Sequence, residues 1–140
     1  SVFGDLLCIE NKDKRKPVGR TAAELKWYFD RLPLARLCFD IGHARQIDPT
    51  MCEAELILRT FGDRIRQIHL SLVTSSSRHE PLNLESILAY QRVAHLLPKE
   101  APIILETPVS VDRIPSEIEK VSLILGNAVK KAISGTAAEG

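Results

Sequence analysis

Four short apolar runs, each followed by an amphipathic segment and each leading into a residue that can bind a cation, constrain this chain more than any other feature. The runs are Leu6 to Ile9, Leu37 to Phe39, Ile65 to Leu70 and Ile103 to Leu105. Three of the four are continuously apolar, the pattern of strands buried on both faces. The segments between them carry helix signals. Thr21 and Glu24 form a capping box ahead of Leu25, Trp27, Tyr28 and Leu32. Asp48 followed by Pro49 reads as an N-cap with proline at the first helical position, leading into Ala54, Leu56, Ile57 and Leu58. Asn83 caps a helix carrying Ile87, Leu88, Val93 and Leu96, and Ser116 with Glu119 forms a capping box before Val121, Ile124, Val129 and Ile133. Leu32-Pro33 and Leu97-Pro98 stop the first and third helices. The order β-α-β-α-β-α-β-α predicts an α/β fold with a parallel sheet and right-handed crossovers.

The spacing sharpens this expectation. Glu10 and Asp40 are 30 residues apart, Asp40 and His69 are 29 apart, and His69 and Glu106 are 37 apart. Units of about 30 residues are the size of βαβ crossovers, and eight of them make a barrel of about 250 residues. This chain of 140 residues holds four, so residues 1–133 are expected to form half of a (β/α)₈ barrel, with 134–140 a small, polar, flexible tail. Four strands leave two open edges and an inner face, read as apolar, that something must cover. The chain lacks an initial Met and opens almost inside a strand. A preceding half of the barrel, or a second copy, is the partner this predicts.

Strand ends at the carboxyl face of such a barrel converge on one point. Here that point receives Glu10, Asp40, His69 and Glu106. Singly, each acid reads as readily as a cap or ion-pair partner and the histidine as a core residue. Together, three carboxylates in one mouth repel and raise one another's pKa values, and a divalent cation removes the repulsion. Three oxygen donors and one nitrogen favour Mn²⁺, Mg²⁺ or Co²⁺, with Zn²⁺ also accommodated. Four protein ligands on an octahedral ion leave two positions for adjacent oxygens of a hydroxy-carbonyl compound.

Cys38-Phe39-Asp40-Ile41-Gly42-His43-Ala44, Ile68-His69-Leu70-Ser71 and Ile103-Ile104-Leu105-Glu106-Thr107-Pro108 resemble the last four strands of the xylose isomerase-like TIM-barrel superfamily. That group includes sugar and sugar-phosphate isomerases and epimerases and the endonuclease IV type of DNA-repair enzyme. The resemblance implies the C-terminal half of such a barrel, with Glu10, Asp40, His69 and Glu106 binding the metal. It implies that Glu10 and Glu106 move a substrate proton through an enediolate, and that His43 binds substrate or a further metal. Arg78 and His79, in the polar loop after the third run, fall where the family contacts substrate or metal. The implied function is metal-dependent isomerisation or epimerisation of a sugar or sugar phosphate by the complete barrel, a half alone holding the ligands without turning over substrate.

Three departures qualify that implication. The acid that pairs with the loop histidine in the endonuclease-type members is Ser77 here, which disfavours DNA repair. Pro81-Leu82-Asn83-Leu84-Glu85 stands where the family often has glycine, and Lys16 where some epimerases have a second glutamate. A phosphodiester hydrolase on abasic DNA and a non-catalytic half-barrel remain the alternatives. Net charge of +1 argues against bulk attraction to nucleic acid. No run approaches the roughly 20 apolar residues of a membrane span, no signal peptide is evident, and a cytoplasmic location is expected. Cys8, Cys38 and Cys52 lack structural zinc spacing and read as buried reduced thiols. Lys12, Lys14, Arg15 and Lys16 read as a solvated loop rather than as a phosphate-binding group. His95 reads as a surface residue on a helix.

Overall fold

The computed structural model describes residues 4–126. Four strands, β1 (Cys8–Glu10), β2 (Arg36–Asp40), β3 (Ile65–Leu70) and β6 (Ile103–Leu105), form one sheet in the order β1-β2-β3-β6. All three pairings are parallel. A short antiparallel hairpin, β4 (Leu72–Val73) with β5 (His79–Glu80), stands apart from it. The helices are α1 (Ala22–Arg31), α2 (Ile41–Ile47), α3 (Cys52–Phe61), α4 (Leu84–Gln91) and α5 (Ile114–Leu125). The chain is therefore an α/β protein built on a parallel sheet, and among the described residues no helix is long and apolar enough to cross a membrane.

Alternation along the strands decides what each face of the sheet does. Leu37, Phe39, Ile68 and Leu70 are fully buried in one cluster with Leu25, Phe29, Ala54, Ile57, Leu58, Tyr90 and Ile124 from the helices. Burying a side chain of this size stabilises the fold by about 1.5–3 kcal/mol, so this face anchors the sheet. The other face carries Cys8, Glu10, Arg36, Cys38, Asp40, Gln67 and His69, with Ile104 a large aliphatic residue at 41% exposure. The face expected to be apolar is thus largely polar. Strands that read as buried on both sides pack helices on one side only.

The capping box of Thr21 and Glu24 is present, as is a cap by Asn83, which pairs with Ser86. Four boundaries differ from expectation. Asp48 does not open a helix with Pro49. It closes α2, and α3 starts after Met51, a residue in the left-handed region at φ 67°. The Asp48 carboxylate still accepts from Glu53 N–H at 2.9 Å, so it serves α3 from outside the helix. Ser116 lies inside α5, which begins at Ile114 with Pro115 in its first turn. Proline there loses no hydrogen bond, which favours the earlier start. The helix capped by Asn83, α4, ends at Gln91, and Val93 and Leu96 belong to a 3₁₀ turn region rather than to it. The first strand also starts later, at Cys8, after a 3₁₀ turn over Gly4–Leu6. Val129, Ile133 and the expected tail from Ser134 lie outside the described residues. Cys38 is buried, but Cys8 and Cys52 are exposed, contrary to expectation, and all three are free thiols. His95 is exposed, within a 3₁₀ turn rather than a helix.

Candidate metal centre

The carboxyl ends of the strands assemble the site. Glu10 ends β1, Asp40 ends β2, His69 precedes the last residue of β3, and Glu106 follows β6. Cross-strand register holds them level, pairing Asp40 with His69 and His69 with Ile104, two residues before Glu106. Side chains two residues apart on a strand share a face, so all four emerge on the same side. Their ligand atoms lie within 4.8 Å of one another. His69 Nδ1 sits 3.1 Å from Glu10 Oε1 and 3.0 Å from Glu106 Oε1. Glu10 ends one edge strand, β1, and Glu106 follows the other, β6, and both reach the same ring nitrogen of His69.

Asp40 is the most constrained of the four. It is fully buried; one oxygen accepts from His43 N–H at 2.7 Å and so starts α2, while the other, Oδ2, has no hydrogen-bond partner. A buried carboxylate oxygen without a partner costs on the order of 1–3 kcal/mol, which a cation at that position offsets. Burial pushes the Asp40 carboxyl up to about 7, a shift moderated by the His43 N–H and reinforced by the charge of Glu10. Burial also acts to raise Glu10. The hydrogen bond and charge of Lys12, Nζ 2.6 Å from Oε2, outweigh it and hold Glu10 below its ordinary value. The donor set, an orphaned carboxylate oxygen among two glutamates and an imidazole, fits a divalent ion.

Around these ligands stand residues that the sequence alone did not single out. Asn11 is fully buried and clamps β2 to the end of β1. Its amide donates to Asp40 O at 2.8 Å and its side-chain oxygen accepts from Asp40 N–H at 2.7 Å. Its carbonyl accepts from His43 Nδ1–H at 2.9 Å, which leaves His43 Nε2 unprotonated when the ring is neutral. Ser71 Oγ contacts His79 Nδ1 at 2.7 Å, and Tyr90 O–H donates to Ser71 O at 2.7 Å. His79 lies 3.6 Å from Glu106 Oε2, and its ring meets that of His43 edge-on at 5.5 Å. Asp40, His43 and His79 form a second group whose ligand atoms lie within 4.8 Å. Asn11 and Ser71 each follow a strand closely, but only the tertiary pairing reveals what they hold.

Gln67 acts on His69 directly, its amide nitrogen in short contact with His69 Nε2. With that N–H donating, the ring proton resides on Nδ1 and faces the two glutamates. Ligation through Nδ1 requires the proton on Nε2 and the Gln67 amide turned to accept it. Gln67→Leu is therefore expected to weaken Mn²⁺ binding about 10–100-fold, the usual loss when the hydrogen-bond partner of a metal ligand is removed. Gln67→Glu, a permanent acceptor, should retain it. Isothermal titration of both variants checks this, and equal losses would contradict the assignment.

The remaining basic residues singled out from the sequence are exposed. Arg78 is 76% exposed and pairs with Glu80 at 3.8 Å. Lys14, Arg15 and Lys16 are exposed, and Arg15 pairs with Asp13 at 2.8 Å, the pattern of a solvated loop. Fold and site together define a parallel α/β protein with a candidate divalent-metal centre at the carboxyl ends of its strands. The chain matches no protein-family model and no curated protein.

Proposed function

We propose that this chain supplies the metal-binding half of a (β/α)₈ barrel of the xylose isomerase-like type, acting as a sugar or sugar-phosphate isomerase or epimerase. The observation that carries the reading is the pair of glutamates, Glu10 and Glu106, on opposite edges of the sheet and each within about 3 Å of His69. Two carboxylates flanking one point can take a proton from one side of a substrate carbon and return it from the other. A divalent ion held by Glu10, Asp40, His69 and Glu106 supplies Lewis-acid polarisation of a carbonyl and its neighbouring hydroxyl. Mn²⁺, Mg²⁺ or Co²⁺ suits the oxygen-rich set, and Zn²⁺ is accommodated. His43, through Nε2, and His79 would hold a substrate oxygen. A second half of the barrel, from upstream sequence or another copy, would cover the polar face and complete the pocket.

The test is deuterium incorporation at the carbon next to the carbonyl, followed by proton NMR. The full-length gene product is loaded with Mn²⁺ and incubated with a panel of aldoses, ketoses and their phosphates in heavy water. At least one compound should exchange, and Glu106→Gln should slow that exchange about 10²–10⁴-fold, the worth of one acid–base group. Absence of exchange across the panel, with Mn²⁺ bound, overturns the isomerase reading.

The Asp40–His43–His79 group favours one alternative, a phosphodiester hydrolase using more than one ion. It predicts two ions per chain and cleavage of abasic-site DNA, without exchange at carbon.

A further inference from the structure

We propose that Cys38 gives this centre a second, sulfur-containing cage, formed with Glu10 and His69, that takes up thiophilic divalent ions such as Zn²⁺ or Cd²⁺. The proposal rests on the metal-centre reading above and extends it to ion selectivity. Cys38 is the cross-strand partner of Glu10 and lies two residues before Asp40, so its side chain shares the face that bears the ligands. Its sulfur, a Glu10 oxygen and a His69 ring nitrogen all lie within 4.8 Å of one another, and two of these three residues also belong to the oxygen-rich set. Asp40 Oδ2, fully buried and without a hydrogen-bond partner, belongs to that adjoining set and marks the region as built for a cation. The two cages share an edge, Glu10 and His69, and differ in their remaining donors: Asp40 and Glu106 in one, Cys38 in the other. Hard ions select the carboxylate side, whereas soft thiolate donors select Zn²⁺ and Cd²⁺. On uptake of a thiophilic ion the Cys38 S–H proton leaves to solvent as the sulfur–metal bond forms, with no change of oxidation state.

The experiment compares Cd²⁺ and Mn²⁺ binding by the wild type and by Cys38→Ser. Cd²⁺ should produce an ultraviolet thiolate-to-metal charge-transfer band in the wild type. Cys38→Ser should abolish it and weaken Cd²⁺ about tenfold or more, a loss of about 1.4 kcal/mol, while leaving Mn²⁺ affinity unchanged. Cys8 and Cys52 are exposed and remain in the variant, so a band that survives undiminished arises from them and overturns the proposal. Cadmium NMR of the Cys8→Ser/Cys52→Ser double variant, which keeps Cys38 as the one thiol, gives a second reading should Cys38→Ser fold poorly: a resonance in the sulfur-ligated range supports the cage, and one in the all-oxygen-and-nitrogen range overturns it. If Mn²⁺ binds but Cd²⁺ shows no thiolate signature, only the sulfur cage fails. If neither ion binds, the metal-centre reading fails with it.

Discussion

Asp40→Asn is expected to stabilise the metal-free protein while destroying its affinity for divalent ions. The Asp40 carboxyl is buried, and its folded-state pKa is raised to about 7 from an ordinary 3.8. An acid raised in this way is ionised in the unfolded chain at a pH where the native state still holds it protonated. Its cost to stability begins as pH climbs past the unfolded value and is complete above about 7. Asparagine keeps the oxygen that accepts from His43 N–H and carries no charge. The variant should therefore match the wild type near pH 4 and exceed it by on the order of 2–4 kcal/mol at pH 8, since each tenfold change in an ionisation constant corresponds to about 1.4 kcal/mol. Urea unfolding in the presence of chelator, repeated across that range, measures the gap. Mn²⁺ affinity should fall by more than about 100-fold, beyond the usual loss when only a ligand's hydrogen-bond partner is removed. A variant that is less stable at pH 8, or whose gap does not change with pH, contradicts the burial of an ionisable ligand.

Gly42→Ala should be as damaging to the fold as Asp40→Asn is to the site. Gly42 lies in α2 without a positive φ, yet a Cβ there would stand 2.6 Å from Val73 Cγ2 and 2.8 Å from Ser71 O. The second neighbour is backbone, so relief requires moving the start of α2 away from the chain entering β4. Overpacking of this kind costs about 1–3 kcal/mol, occasionally more. The displaced parts include Ser71, which touches His79, and the turn that carries His43. Thermal unfolding should register the loss. Unchanged stability would mean that the contact between α2 and the Ser71–Val73 segment yields freely, and that His43 and His79 are not rigidly placed.

The parallel sheet and its strand-end residues are legible because each lies at a sharp boundary in the sequence. Apolar runs give way abruptly to Glu10, Asp40 and Glu106, His69 follows Ile68 one residue before the end of β3, and the spacing of the runs implies their parallel order. The helix α2 is hidden for a related reason. Its N-cap is Asp40, and a carboxylate that reads as a metal ligand does not also announce the start of a helix, although one of its oxygens does that work. Met51 capping α3 in the left-handed region carries no sequence signal, since a non-glycine residue other than Asn or Asp seldom occupies it. The hairpin of β4 and β5 turns at Ser77, φ 58°, without glycine, and so reads as a plain polar loop. Asn11, Gln67 and Ser71 are silent in the sequence because their roles lie in pairings set by the fold: Asn11 bonds a residue 29 positions away, and Gln67 reads as an ordinary strand polar residue. Cys38 is legible as part of a motif, but its nearness to Glu10 is not, because that depends on strand register.

That the four strand-end side chains act as one cation site is the central claim, and Mn²⁺ titration followed by electron paramagnetic resonance measures it most directly. The wild type should bind Mn²⁺ saturably at this site, and Glu10→Gln, Asp40→Asn, His69→Gln and Glu106→Gln should each weaken that binding at least about tenfold. No saturable binding in the wild type, or affinity untouched by all four substitutions, would contradict it.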